Sequence, residues 1–400
     1  MNDSGLPKTM IVQSCPLCDS TQFSPLYRID REQAIDIDIC QYCGLVFQRN
    51  PLTENELSHY YERNDTFHFH GAQSRQNYLS RVRQEFLAPY IKEITFGGID
   101  KPVVLDIGCG YGDFLASFSE ESWIRKGLEL NRDRAAFARE EFKLNIEEAM
   151  LQDSSLGPES VDLFCGFGLI EHFLDARGFL KASYGIMKKG GIGCFSVADL
   201  LNPLSGLSDY FCVEHVLYFS SNTLTSLLEA AGFDVLQVGG LTPPDYNDIA
   251  CVFRRPRTVS ADRLADQRKL SPQYDEIRRI KLAVTEYIRE RDILIESIRQ
   301  KLTISEIMGN LDKVAIYCTG EHTRHLLLAI PELKSIKCFF DSDSRKWGTS
   351  YSGGVIHSVR EAEALGINKI IISSKAFQEE ITESLRLILP DSVQPIVIYN

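Results

Sequence analysis

Short apolar runs separated by helical patterning dominate the chain between Pro102 and about Arg255. "VVLDIG", "KGLEL", "VDLFCGFG", "GIGCFSVA" and "ACVFR" each read as a buried strand. Their alternation with helix-like stretches predicts a mostly parallel α/β sheet. The pattern resumes at Lys313, where "KVAIYCTG", "IKCFFD", "KIIISS" and "PIVIY" predict a second, smaller α/β unit. From Pro256 to Gly309 the chain is polar and strongly charged. Ile277, Ile280, Val284, Tyr287, Leu294 and Ile298 recur there at near-helical spacing, interrupted by Arg291, and predict one long amphipathic helix. A dimerising coiled coil would need a longer seam, so packing across two domains is the expected role. "SRQNYLSRVRQEFLAPYIKEI", from Ser74 to Ile94, is also helical in period. Residues from about 11 to 50 are short and punctuated by cysteine. The expected division is 1–72, 73–256, 257–312 and 313–400.

Composition narrows the class. The 400 residues are 44% hydrophobic and 24% charged, which is ordinary for a soluble protein with ample core. A net charge of −12 argues against a general nucleic-acid binder, which would carry a basic face. No apolar run is long enough to span a membrane, and the first residues lack an apolar signal core. Of the 11 cysteines, Cys165, Cys194 and Cys251 lie in apolar segments, as free buried thiols do. A reducing, cytoplasmic compartment is the expectation.

Cys15-Pro-Leu-Cys18 and Cys40-Gln-Tyr-Cys43 form two C-x-x-C knuckles. Four thiolates on two tight turns suit tetrahedral zinc. With no open ligand position, the site reads as a structural staple for a segment too small to build its own core. "CGLVFQRNP" suits the exit strand of such a zinc ribbon.

The sharpest chemical signal is Asp106-Ile-Gly108-Cys-Gly110-Tyr-Gly112-Asp113, after an apolar strand and before "FLASF". Glycines there let the backbone approach a ligand and turn into a helix. A dinucleotide fingerprint would read G-x-G-x-x-G, but here glycine falls at Gly112 and Asp113 follows. A carboxylate at the helix start disfavours a pyrophosphate. Glu129 ends "KGLEL", where an acid commonly grips ribose hydroxyls. These features point to S-adenosylmethionine rather than NAD.

"VLDIGCGYGDFL" followed by "GLEL" resembles the cofactor motifs of class I S-adenosylmethionine-dependent methyltransferases. The resemblance implies a Rossmann-like α/β domain with Asp106, Gly108, Gly110, Gly112 and Glu129 around the cofactor. "VDLFCGFGLIEHF" resembles the segment lining cofactor and reaction site in that class. There Phe167 and Leu169 would flank the cofactor, with Glu171 and His172 beside the reaction centre. "EEAMLQD" stands at the adenine-facing loop, with Met150 and Leu151 as its candidates.

"CVEHVLYFS" resembles the "EH-x-x-YFS" segment of the sugar C-methyltransferases of deoxysugar biosynthesis. That family also has an N-terminal four-cysteine zinc module, a central methyltransferase domain and a C-terminal Rossmann-like domain that helps hold a nucleotide sugar. The resemblance implies C-methylation of a nucleotide-linked keto-deoxysugar. His215 would be the base, Glu214 would orient it, and His172 would be a second base or an enolate donor. Tyr60, Tyr61, Tyr218, Arg324 and Lys346 are the expected substrate contacts. "DSDSRKWG" sets Asp341, Lys346 and Gly348 in the family's register, while Cys212 stands where the family often has tyrosine. O- or N-methylation of a nucleotide sugar or surface-glycan precursor is the nearest alternative. A non-catalytic zinc- and cofactor-binding module is the alternative of another class. No nucleic-acid partner and no membrane insertion are expected, and the assembly is expected to be a monomer or homodimer.

Overall fold

The computed structural model describes residues 9–30, 34–53, 56–57, 79–173, 175–204, 206–207, 210–241, 247–258, 272–375 and 377–399. Two compact units emerge: Met1–Pro203 with Phe211–Val284, and Leu204–Tyr210 with Thr285–Asn400.

The cysteine module opens the first unit. β1 (Phe23–Ile29), β2 (Ile35–Cys40) and β3 (Val46–Gln48) form an antiparallel sheet, with the second knuckle as the turn between β2 and β3. Gly44 holds that turn at φ +79°, a left-handed conformation that glycine adopts without strain.

The alternating runs become β4 (Val103–Ile107), β5 (Ile124–Leu128), β7 (Val161–Phe167) and β8 (Met187–Ala198), and a short strand outside those runs, β6 (Asn145–Glu147), joins them in parallel. β9 (Leu217–Tyr218) leaves this layer and pairs with β3, so the cysteine sheet runs β1-β2-β3-β9. β10 (Asp234–Leu241) and β11 (Asp248–Arg254) close the main sheet, whose order is β10-β11-β8-β7-β4-β5-β6, with β11 antiparallel to β8 and to β10. Strand periodicity sends alternate side chains to opposite faces. Leu105, Phe164, Phe195 and Phe253 enter one core. Val104, Leu163, Cys165, Cys194 and Val252 enter the other. Burial on both faces makes these strands read as near-continuous apolar runs.

Helices cover the sheet. The 74–94 periodicity yields α1 (Ala88–Phe96), preceded by wider π turns over Val82–Leu87. α2 (Asp113–Ala116), α3 (Arg132–Phe142), α4 (Ala176–Ile186) and α5 (Ser221–Ala230) follow. Asn131 and Asp175 cap α3 and α4 by accepting from the N–H groups of Arg134 and Gly178, and Ser220 with Thr223 forms a capping box on α5.

The long helix is α6 (Tyr274–Ile304), unbroken through Arg291. Its polar face interrupts the apolar spacing without ending the hydrogen-bonded ladder. In the second unit Ile298 and Leu302 of this helix join the core. Six strands follow: β12 (Val314–Tyr317), β13 (Cys338–Phe340), β14 (Ser350–Tyr351), β15 (Gly354–His357), β16 (Lys369–Ile372) and β17 (Gln394–Val397). Their order is β14-β15-β13-β12-β16-β17, and only β14–β15 is antiparallel. α7 (Glu321–Ala329) and α8 (Gln378–Ile388) lie between strands. The β14–β15 hairpin is not legible as an apolar run because it is short and turns at Ser352 and Gly353. Among the described residues, no helix is long and apolar enough to cross a membrane.

Candidate functional site

Open α/β sheets bind ligands beyond the carboxyl ends of their strands, where the strand order reverses. In the first unit that reversal lies between β4 and β7, which are neighbours in the sheet. The glycine turn leaves β4 there. Gly108, Gly110 and Gly112 have φ of +65°, +57° and +83°. The N–H groups of Gly108 and Cys109 donate to the Leu128 carbonyl at 2.8 and 3.1 Å, so the turn folds over the end of β5. A Cβ at Gly112 would come within 2.5 Å of Leu144 Cδ1 and 3.0 Å of Ala138 Cβ. Gly112 is therefore needed for both conformation and space.

Glu129 follows β5 directly and is 9% exposed. One carboxylate oxygen accepts from the Gly110 N–H at 2.8 Å, and the other accepts from the Asn131 N–H at 2.8 Å. Both oxygens retain lone pairs for ribose hydroxyls. The acid thus shapes the glycine cradle and offers the acceptors that an adenosyl ribose requires. Asp106, at 3% exposure, sits beneath the turn near the end of β4. Met150 is half-buried, while Leu151 is buried at the start of a short 3-10 turn. Phe167 meets the Phe114 ring at 4.7 Å, which fixes the strand end against α2. Leu169 sits at the glycine turn, since a Cβ at Gly108 would lie 3.2 Å from its Cδ1. These residues fit S-adenosylmethionine.

Immediately past Leu169, a short 3-10 turn over Ile170–His172 presents Glu171 and His172. His215, from a different loop, joins them. One ligating atom from each of Glu171, His172 and His215 lies within 4.8 Å of the others. The two imidazoles pack edge to face with centroids 4.7 Å apart. His172 Nδ1 is 3.0 Å from the Glu214 carbonyl, so it carries the proton of the neutral ring.

Burial sets the protonation states. It pushes the Glu171 carboxyl up to about 8, and the negative charge of Asp248 pushes the same way. The same desolvation pulls His172 down to about 3, with His215 adding to the effect. His215 is also lowered by burial, but the Glu214 carboxylate opposes that shift. Near neutral pH the cluster therefore holds two neutral imidazoles and a protonated carboxyl. Of the two rings, His215 has the carboxylate neighbour that favours its protonated form and is the better base.

Tyr218, expected as a substrate contact, is 2% exposed. Its hydroxyl accepts from the Cys212 N–H and donates to the Cys212 carbonyl, each at 3.2 Å. It staples the loop that carries Glu214 and His215. Burial holds the Cys212 thiol neutral. Two residues invisible to sequence reasoning complete the arrangement. The Val216 N–H donates to the Glu171 carbonyl at 2.9 Å, while the Val216 carbonyl accepts from the Gln48 N–H at 2.9 Å. Backbone links of this kind leave no side-chain signature. Tyr60 and Tyr61 lie outside the described residues.

The four cysteines converge. Cys15 Sγ is 3.5 Å from Cys43 Sγ, and Cys18 Sγ is 3.5 Å from Cys40 Sγ. A tetrahedral zinc with Zn–S bonds near 2.3 Å needs sulfur–sulfur edges of about 3.8 Å. The donor set and spacing fit zinc. Hydrogen bonding to Cys15 pulls the Cys40 thiol down and pushes the Cys43 thiol up.

In the second unit, Arg324 is exposed on α7, with its guanidinium against the His325 ring at 3.1 Å. Lys346 Nζ lies 2.9 Å from Asp341 Oδ2 and 3.4 Å from Thr319 Oγ1. The strand reversal between β12 and β16 carries a different group. His322 Nδ1 lies 3.0 Å from Ser373 Oγ, and its Nε2 bonds to the Tyr399 hydroxyl at 2.5 Å. Sequence reasoning passed over this group because its members come from three separate segments.

A family profile described as a methyltransferase domain matches residues 74–238, and a profile described as C2185-like, N-terminal, matches residues 310–392. A Mycolicibacterium smegmatis protein assigned as an S-adenosylmethionine-dependent methyltransferase is 28% identical over 136 residues, covering 33% of this chain and 52% of its own. A ubiquinone biosynthesis O-methyltransferase of Pseudomonas entomophila is 23% identical over 177 residues, covering 40% of this chain and 75% of its own. The chain spans about half the length of the mycobacterial relatives it matches. A solved S-adenosylmethionine-dependent methyltransferase from Mesorhizobium loti aligns over 42% of this chain and 96% of its own, at 17% identity and a TM-score of 0.35.

Proposed function

We propose that this chain, whose residues 74–238 are a class I S-adenosylmethionine-dependent methyltransferase domain, methylates carbon on a nucleotide-linked keto-deoxysugar. The observation that carries the reading is the meeting of Glu171, His172 and His215 beside the glycine turn. S-adenosylmethionine, when bound, supplies an electrophilic methyl group on sulfur. Gly108, Gly110, Gly112 and Glu129 would hold it, with Met150, Leu151, Phe167 and Leu169 around it.

A carbon acceptor becomes nucleophilic when the proton beside its carbonyl is removed. Neutral His215 takes that proton, and Glu214 steadies the imidazolium that results. The protonated Glu171 carboxyl and the His172 ring are the groups at hand to donate to, or orient, the developing enolate oxygen. The half-buried setting of both histidines limits water at the carbanion. Within the second unit, Lys346 and Arg324 are proposed to meet a diphosphate. The sugar-nucleotide reading draws its support from "CVEHVLYFS" and the layout of a four-cysteine module, methyltransferase domain and C-terminal α/β unit.

Solvent deuterium exchange tests the carbanion step. With S-adenosylhomocysteine bound, the unmodified protein should exchange the sugar proton beside the ketone, and His215→Asn should not. No exchange across several nucleotide-linked keto sugars would refute it. O-methylation is a second reading, favoured by the ubiquinone relatives; His215 would then take a hydroxyl proton, and no carbon-bound deuterium would appear.

A further inference from the structure

We infer that β3 of the cysteine module is the positioning element for the His215 loop, so that metal occupancy at the four cysteines governs the catalytic cluster and not the cofactor turn. The link runs through backbone. The knuckle closes with the Gly44 N–H on the Cys40 carbonyl at 3.1 Å and the Cys40 N–H on the Leu45 carbonyl at 2.9 Å. That turn launches β3, whose Val46 and Phe47 register with Tyr218 and Leu217 of β9. One residue further along β3, the Gln48 N–H donates to the Val216 carbonyl at 2.9 Å.

Val216 directly follows His215. Its carbonyl is held by the cysteine hairpin, and its N–H is held by the Glu171 carbonyl at 2.9 Å. This single residue therefore clasps the cysteine hairpin to the turn that bears Glu171 and His172. Leu45, Phe47 and Leu217, each at most 2% exposed, seal the seam in one core.

The cofactor turn is held otherwise. Gly108 and Cys109 bond to Leu128, and Gly110 bonds to Glu129. None of these partners belongs to the cysteine module. Without an ion the knuckles are joined by weak Sγ–Sγ contacts and the β1–β2 pairing, and small metal-stapled segments depend on the metal cross-link for their fold. Loss of the ion releases the β3–β9 seam and lets His215 drift from His172 and Glu171.

The inference rests on His215 acting as the base, but its readout is the ring's own titration, so it stands or falls independently of turnover. The experiment uses the full chain with isotope-labelled histidine and one bound zinc, the His215 signal being assigned by His215→Asn. Gln48→Pro keeps every cysteine and removes the N–H that meets Val216, while fixing φ at the last residue of β3. It should retain one zinc and bind S-adenosylhomocysteine within about twofold, as hydrogen bonds far from a site add independently. Its His215 should titrate closer to the free-imidazole value of 6.5. Chelation of the unmodified protein should give the same result. Gln48→Ala, which keeps the N–H, should behave as the unmodified protein. An unchanged His215 titration in Gln48→Pro, or after chelation, overturns the inference. So does parallel loss of S-adenosylhomocysteine binding on chelation, which would mark general unfolding. Should Gln48→Pro fail to fold, the chelated protein decides.

Discussion

The His172 and His215 rings meet edge to face, 4.7 Å between centroids and 81° between planes. They come from separate turns, one leaving β7 and one entering β9. Their contact brings a strand-end turn and a distant loop into one cluster. Each ring lowers the cost of neither charge, because both are desolvated and a charge on one disfavours a charge on the other. The pair is therefore suited to take up one added proton at a time, beyond the N–H each neutral ring carries.

Replacing His215 with asparagine keeps a polar side chain of similar reach but removes the base. Methyl transfer should fall by about 10²–10⁴-fold, the usual contribution of a positioned base. Calorimetry should give an S-adenosylmethionine affinity within about twofold of the unmodified protein. A matching loss of cofactor affinity would place His215 in the wrong half of the site.

Glu171 makes a pH-dependent prediction. Its carboxyl is raised from 4.5 to about 8 in the folded chain. A group raised on folding adds stability that is fully present below its unfolded value and is lost as pH rises through its folded value. Glu171→Gln cannot ionise and escapes that loss. Thermal unfolding should show the variant gaining on the unmodified protein between pH 5 and pH 8. An advantage that stays constant over this range would mean Glu171 is already ionised.

Much of this was legible in the sequence because parallel strands buried on both faces leave uninterrupted apolar runs. Those runs located β4, β5, β7, β8 and β11, and the glycine turn with Glu129 marked the place where the chain folds over the ends of β4 and β5. Glu171, His172 and His215 stood out as motif residues. Their convergence was implied by the resemblance alone, because the backbone N–H and C=O groups of Val216 and Gln48 that hold it leave no side-chain pattern. β9 is two residues long and has no period to detect. Tyr218 shows the complementary difficulty. An aromatic hydroxyl in a motif looks like a ligand contact, yet here it bonds to its own loop at Cys212.

Glu129→Ala removes two acceptors at once, for Gly110 and for Asn131. Hydrogen bonds to a charged group are worth about 1.5–3 kcal/mol each. Loss of both would weaken S-adenosylmethionine binding by about 10²–10⁴-fold, at about 1.4 kcal/mol per factor of ten, with zinc content unchanged. Calorimetry and metal analysis on one preparation check both halves.

Gly112→Ala should act through the fold. The residue sits at φ +83°, and a new Cβ would meet Leu144 at 2.5 Å. Left-handed strain and overpacking together predict a loss of about 2–4 kcal/mol in urea unfolding. A change within about 0.5 kcal/mol would mean the turn relaxes freely.

The central claim is tested most directly by turnover with S-adenosylmethionine carrying a CD₃ group, offered against nucleotide-linked keto-deoxysugars, with the product read by mass spectrometry and NMR. The account predicts a CD₃ group bound to the carbon beside the ketone, formed by the unmodified protein and not by His215→Asn. A CD₃ group on oxygen or nitrogen, or carbon-bound label formed equally well by His215→Asn, would contradict it.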